Sequence, residues 1–103
     1  MVDQATAIKT ARAFIYECQV TGLHFDKVFL FGSFATGNSH EGSDIDLLMV
    51  SKQFTENIFE NLKLYSKVNI RYPIIETHPY PERYFKKGDD FIQSVLDNSI
   101  EII

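Results

Sequence analysis

An α/β domain is predicted by two patterns in this sequence. Segments with helical spacing alternate with short apolar runs of strand character, and the run Ile45 to Val50 is almost continuously apolar. A strand of that kind has to be covered on both faces, which calls for a sheet packed against helices. The chain has 103 residues, the length of one domain, so residues 1–103 are read as a single unit. Apolar residues make up 45% of it, enough for a modest core.

The elements follow in order. Asp3 or Thr6 can cap a first helix, and Ala7, Ile8, Ala11, Ile15 and Cys18 recur at spacings of three and four along one face. Gly22 is a natural stop. Residues 27–31 read as a strand. Residues 32–43 carry three glycines and several small polar residues, the composition of a turn, a short helical piece and a loop. The strand 45–50 comes next. Thr55 to Leu64 has helical spacing through Ile58, Phe59 and Leu62. Val68 to Glu76 alternates as a strand would, with Pro73 marking an edge or a bulge. His78-Pro79-Tyr80-Pro81 reads as a rigid connection, and Glu82 to Lys87 as a short helix. Asp89 or Asp90 caps a last helix to about Asn98, with Ile100 to Ile103 as a final strand.

Several function classes lose ground on composition. The net charge is −4, which does not favour a nucleic-acid surface. Cys18 is the only cysteine, so no internal disulfide forms, as expected of a cytoplasmic protein. No basic leader precedes an apolar stretch at Met1-Val2-Asp3-Gln4, and no apolar run approaches the roughly 18 residues of a membrane span.

The chemistry concentrates between residues 28 and 50. The apolar run Val28-Phe29-Leu30-Phe31 ends in Gly32-Ser33. Ten residues later Asp44 and Asp46 open the next apolar run. On a strand, residues i and i+2 share a face, so these two carboxylates are expected to point together. At roughly 5 Å they would repel by about 1 kcal/mol in water and about 3 kcal/mol at an effective dielectric near 20. A divalent cation removes that repulsion, and Mg²⁺ favours one or two carboxylates together with substrate phosphates. Gly32 lets the backbone approach a phosphate, and Ser33 offers a hydroxyl and an N–H where a helical turn begins. Glu76 or Asn69 is a candidate third ligand, and Glu76 also a candidate proton acceptor. Asn69 cannot take a proton, and the site can also lack a third acid. His40 and Glu41 read as loop residues, Arg71 as surface, His78 as structural and Cys18 as core.

Gly32-Ser33 followed by Asp44-Ile45-Asp46 resembles the signature of the polymerase-beta-type nucleotidyltransferase superfamily. The stretches Phe34-Ala35-Thr36-Gly37 and Ser43-Asp44-Ile45-Asp46-Leu47 make the chain most similar to the minimal nucleotidyltransferases, many of them antitoxins paired with HEPN-domain toxins. The resemblance is sharp over residues 28–50. It implies a small mixed β-sheet with helices mainly on one face, as in polymerase beta. It also implies Mg²⁺-dependent transfer of AMP from ATP to a hydroxyl of a partner protein, with a tyrosine of a HEPN toxin as the expected acceptor, in a homo- or hetero-oligomer. Asp44 and Asp46 would then be catalytic and metal-binding residues, with Glu76 the candidate for the third, and Gly32, Ser33 and Ser43 the nucleotide-binding ones. The triplet Val68-Asn69-Ile70 departs from the family, which has an acid where Asn69 stands. A binding-only antitoxin that has lost chemistry is therefore the alternative expectation. An Asp-x-Asp glycosyltransferase is a third, and it has no need of the Gly-Ser pair.

Overall fold

The strand Ile45–Ser51 (β2) occupies an inner position in a four-stranded sheet, and the rest of the fold follows from covering it. The computed structural model describes residues 3–103; Met1 and Val2, part of the stretch read as carrying no leader, lie outside the described residues. Lys27–Phe31 (β1) pairs antiparallel with β2, placing Phe31 opposite Asp46. Ile75–Pro81 (β3) lies parallel to β2 on its other side. The two-residue strand Ile100–Glu101 (β4) closes the far edge against β1, so the order is β3-β2-β1-β4. Among the described residues no helix is long and apolar enough to cross a membrane.

Helices cover this mixed sheet unequally. Gln4–Val20 (α1) and Ile58–Asn69 (α3) pack on one face. Ala7, Ala11, Phe14, Ile15 and Cys18 of α1, with Tyr65 and Val68 of α3, bury against Val28, Leu30, Ile45, Leu47 and Met49. The other face carries Phe29, Leu48 and Val50, closed by Ile92 and Val95 of Asp90–Asp97 (α5) and by Phe85 of Glu82–Lys87 (α4). Alternate residues of β2 thus enter two different apolar clusters, which is why its sequence lacks a polar side. Burial pushes the Cys18 thiol up to about 12, so it behaves as a core side chain.

Local chemistry sets the helix starts. Asp3 accepts from the Thr6 N–H at 2.8 Å, Asn57 from Phe59 and Glu60, and Asp89 from Ile92 at 2.8 Å. The capping by Asn57 starts α3 three residues after the expected Thr55. Asn61 is buried, and its side chain both accepts from the Thr55 N–H and donates to the Thr55 carbonyl, holding that segment as a loop.

Two expectations are corrected downstream. Val68 to Glu76 is not a strand. α3 runs on to Asn69, because Asn61, Tyr65 and Val68 continue one helical face into the core. The alternation through Ile70 is coincidental, since Ile70 is 78% exposed. A turn with N–H bonds from Arg71 to Val68 and from Tyr72 to Asn69 then reverses the chain. The strand begins only at Ile75 and takes in His78-Pro79-Tyr80-Pro81, the expected connection. Proline is tolerated there because β3 is an edge strand with pairing on one side only.

Arg71 sits on that turn rather than on a strand, and it pairs with Glu17 of α1, which also accepts from the Tyr72 hydroxyl. These hydrogen bonds, first from Tyr72 and then from Arg71, hold the Glu17 carboxyl below its ordinary value of 4.5. A depressed carboxylate contributes stability that is present above the unfolded-state value and is lost as pH falls through the folded one. Glu17→Gln is therefore expected to lower the melting temperature at pH 7. The difference from wild type should shrink as the pH drops below 4.5. Thermal melts across pH 2 to 7 check this; a difference independent of pH would contradict it.

Candidate active site

Parallel pairing of β2 with β3 sets Glu76 directly beside Asp46. Neighbouring strands lie about 4.8 Å apart, so two carboxylates in register are forced close together. Glu76 and His78 alternate with buried Ile75 along β3 and share one face of it. The result is a cluster in which oxygens of Asp46 and Glu76 and a ring nitrogen of His78 all lie within 4.8 Å of one another. His78 Nε2 stands 3.6 Å from Asp46 Oδ1.

Asp46 is half-buried, and its carboxyl is raised above the usual carboxylate range. Burial is the main cause and the charge of Glu76 the next, partly offset by His78. Gly32, which follows the residue opposite Asp46, forms the floor of the site. It has φ +79°, and a methyl group added there would collide with Asp46 Oδ2. The position therefore requires glycine on two counts, backbone conformation and space. Gly32 leads into Ser33–Thr36 (α2), a single turn whose Thr36 N–H bonds back to the Gly32 carbonyl. Gln4 of α1 fixes this turn by donating to the Phe34 carbonyl at 2.8 Å.

The remaining candidates lie around this centre. β2 begins at Ile45, so Asp44 stands one residue outside the strand, exposed, and is not part of the close cluster. It lines a cavity of about 350 Å³ together with Phe34, His40, Glu41, Gly42, Ser43 and Ile74. The Ser43 hydroxyl accepts from the His40 N–H at 3.0 Å and so shapes the loop over that cavity. Asn69 is remote in role: it ends α3, and its amide donates to the Tyr72 and Ile75 carbonyls, locking the turn into β3. Glu76 faces away from the sheet's main core, exposed beside Asp46, and not toward the apolar side that a strand at 68–76 implies. His78, read from sequence as structural, joins the cluster. Its only sequence signal is the spacing Glu76-x-His78, which is informative once β3 is known to be a strand.

A divalent cation fits this donor set. Two carboxylates supply hard oxygens, and the buried Nε2 of His78 has no hydrogen-bond partner. Without a cation the two carboxylates repel each other, and the Glu76 charge adds to burial, the larger cause, in raising the Asp46 carboxyl.

Residues 22–102 match the family model of the nucleotidyltransferase domain. The chain belongs to this family. Among solved structures, a Sulfolobus solfataricus protein assigned as a nucleotidyltransferase, at 1.40 Å resolution, superposes with a TM-score of 0.71 and 23% identity, over 95% of this chain and 80% of that one. A toxin-antitoxin structure with AMP-PNP gives 0.62 and 18%, over 88% and 71%. A structure assigned as a minimal nucleotidyltransferase gives 0.58 and 21%, over 95% and 94%. These likenesses establish the fold as that of the minimal nucleotidyltransferases. No curated protein sequence matches the chain.

Proposed function

We propose that this protein transfers AMP from ATP to a hydroxyl of a partner protein, and that the partner is a HEPN-domain toxin which it neutralises. The observation that carries this reading is the opposition of Asp46 and Glu76 across β2 and β3, with the Asp46 carboxylate packed against Gly32 where a Cβ would meet it. The similarity in fold to a chain of a toxin-antitoxin structure with AMP-PNP supports the choice of partner and nucleotide.

Asp46 and Glu76 would hold Mg²⁺, with Asp44 added from the loop just before β2. When bound, the ion neutralises phosphate charge and lets the carboxylates and the triphosphate share one site. The Gly32-Ser33 bend presents backbone N–H and hydroxyl donors to the β- and γ-phosphates, and Ser43 contacts the nucleotide from the loop. Glu76, exposed at the rim, takes the proton of the acceptor hydroxyl. The hydroxyl oxygen bonds to the α-phosphorus, the bond from that phosphorus to the bridging oxygen breaks, and pyrophosphate leaves with the electron pair.

The test is incubation with ATP labelled at the α-phosphate, Mg²⁺ and the HEPN protein. Label should appear on the partner and should fall by about a hundredfold or more with Glu76→Gln. Equal labelling by wild type and Asp46→Asn would overturn the mechanism. Neutralisation that survives Asp46→Asn without any labelling would instead identify an antitoxin acting by complex formation.

A further inference from the structure

The imidazole of His78 is held in an unusual way. Its ring meets Phe31 edge-on, with centroids 5.0 Å apart, and tilts against Phe91 at 6.1 Å. Aromatic packing therefore fixes where the ring points. Nε2 is buried, has no hydrogen-bond partner, and lies 3.6 Å from Asp46 Oδ1, too far for a hydrogen bond. A buried imidazole nitrogen normally finds a partner, and this one faces two carboxylates instead. If Nε2 carries the proton, the donor is unmet; if it does not, its lone pair opposes two anions. A cation shared with Asp46 and Glu76 resolves both cases. Two donor atoms each about 2.1 Å from one ion stand roughly 3.0 to 3.5 Å apart, close to the observed nitrogen-to-oxygen separation.

We propose that His78 is a metal ligand through Nε2, and that this nitrogen makes the site favour Mn²⁺ over Mg²⁺. The inference rests on the reading of Asp46 and Glu76 as metal ligands and adds a ligand that sets which ion they hold. The chemical reason is the donor type. Carboxylates and water suit Mg²⁺ and Mn²⁺ alike, whereas imidazole suits transition-metal ions and gives Mg²⁺ little.

Binding of free Mn²⁺, followed by electron paramagnetic resonance, with Mg²⁺ as competitor, tests this without any turnover. Wild type is expected to hold Mn²⁺ at least about tenfold more tightly than Mg²⁺. His78→Phe, which keeps an aromatic ring between Phe31 and Phe91, should lose about 10- to 100-fold in Mn²⁺ affinity while Mg²⁺ affinity changes little. Bound Mn²⁺ should show ¹⁴N coupling in spin-echo spectra of wild type and none in His78→Phe. An absent nitrogen coupling in wild type, or an equal loss for both ions in the variant, would overturn the assignment of His78. If Mn²⁺ still loses affinity with Asp46→Asn in that event, the carboxylate site stands and only the histidine ligand falls.

Discussion

Asp46→Asn is expected to abolish nucleotidyl transfer and, in the same protein, to raise the melting temperature measured without divalent cations. The two effects have one cause. Asp46 is half-buried and in register with Glu76, with carboxylate oxygens within 4.8 Å of each other. At an effective dielectric near 20, two unit charges at that distance repel by about 3 kcal/mol, an upper figure for a site open to solvent on the Glu76 side. Asparagine keeps the shape and removes the charge. A gain of about 1 kcal/mol would raise the melting temperature of a domain this size by roughly 4 to 8 °C. The sign follows from linkage. Burial and Glu76 raise the Asp46 carboxyl above its unfolded value of 3.8, so ionisation costs stability above the folded value and nothing well below 3.8. The stabilisation by asparagine should therefore be largest near neutral pH and fade as the solution is acidified. Added Mg²⁺ or Mn²⁺ should stabilise wild type and leave the variant unmoved. Melting curves in EDTA and in each cation, across pH 3 to 7, measure all of this. A variant less stable than wild type in EDTA at pH 7 would show that Asp46 supports the fold instead of straining it.

The second large effect is expected at Gly32. Gly32→Ala should lower stability and remove transfer together, so it shares the loss of transfer with Asp46→Asn and differs from it in the sign of the stability change. The backbone at φ +79° and ψ −155°, a region populated essentially by glycine, costs a residue with a Cβ about 1 to 3 kcal/mol. The new methyl group also collides with Asp46 Oδ2, so the carboxylate must leave its place beside Glu76. A double-mutant cycle separates the two contributions. In an Asp46→Ala background the collision is gone and only backbone strain is left, so Gly32→Ala should cost measurably less stability there. Denaturant unfolding of the four proteins provides the numbers. Equal costs in both backgrounds would mean that Gly32 is kept for its backbone angle alone.

Elements defined by near neighbours were legible in the sequence. Asp3 and Asp89 cap helices with their own following N–H groups, and the apolar run after Asp46 fills both faces of β2. Gly32-Ser33 ends β1 in a bend because the glycine is needed within that turn. The stretch 68–81 was misread for a physical reason. Alternation across Val68, Ile70, Tyr72 and Ile74 imitates a strand, but the contact of Val68 with the core extends α3 by helical spacing and overrides it. Prolines at 79 and 81 suggested a connection, and only the edge position of β3 makes them compatible with a strand.

By itself the sequence determined the element types outside residues 68–81, the glycine bend and the acid on β2, since each depends on residues a few positions apart. The tertiary structure alone decided which partners that acid meets. Glu76 and His78 arrive beside Asp46 through a parallel register between segments thirty residues apart, joined by a helix whose end the sequence pattern disguised. Such a register is set by how whole layers pack, and local periodicity carries no record of it.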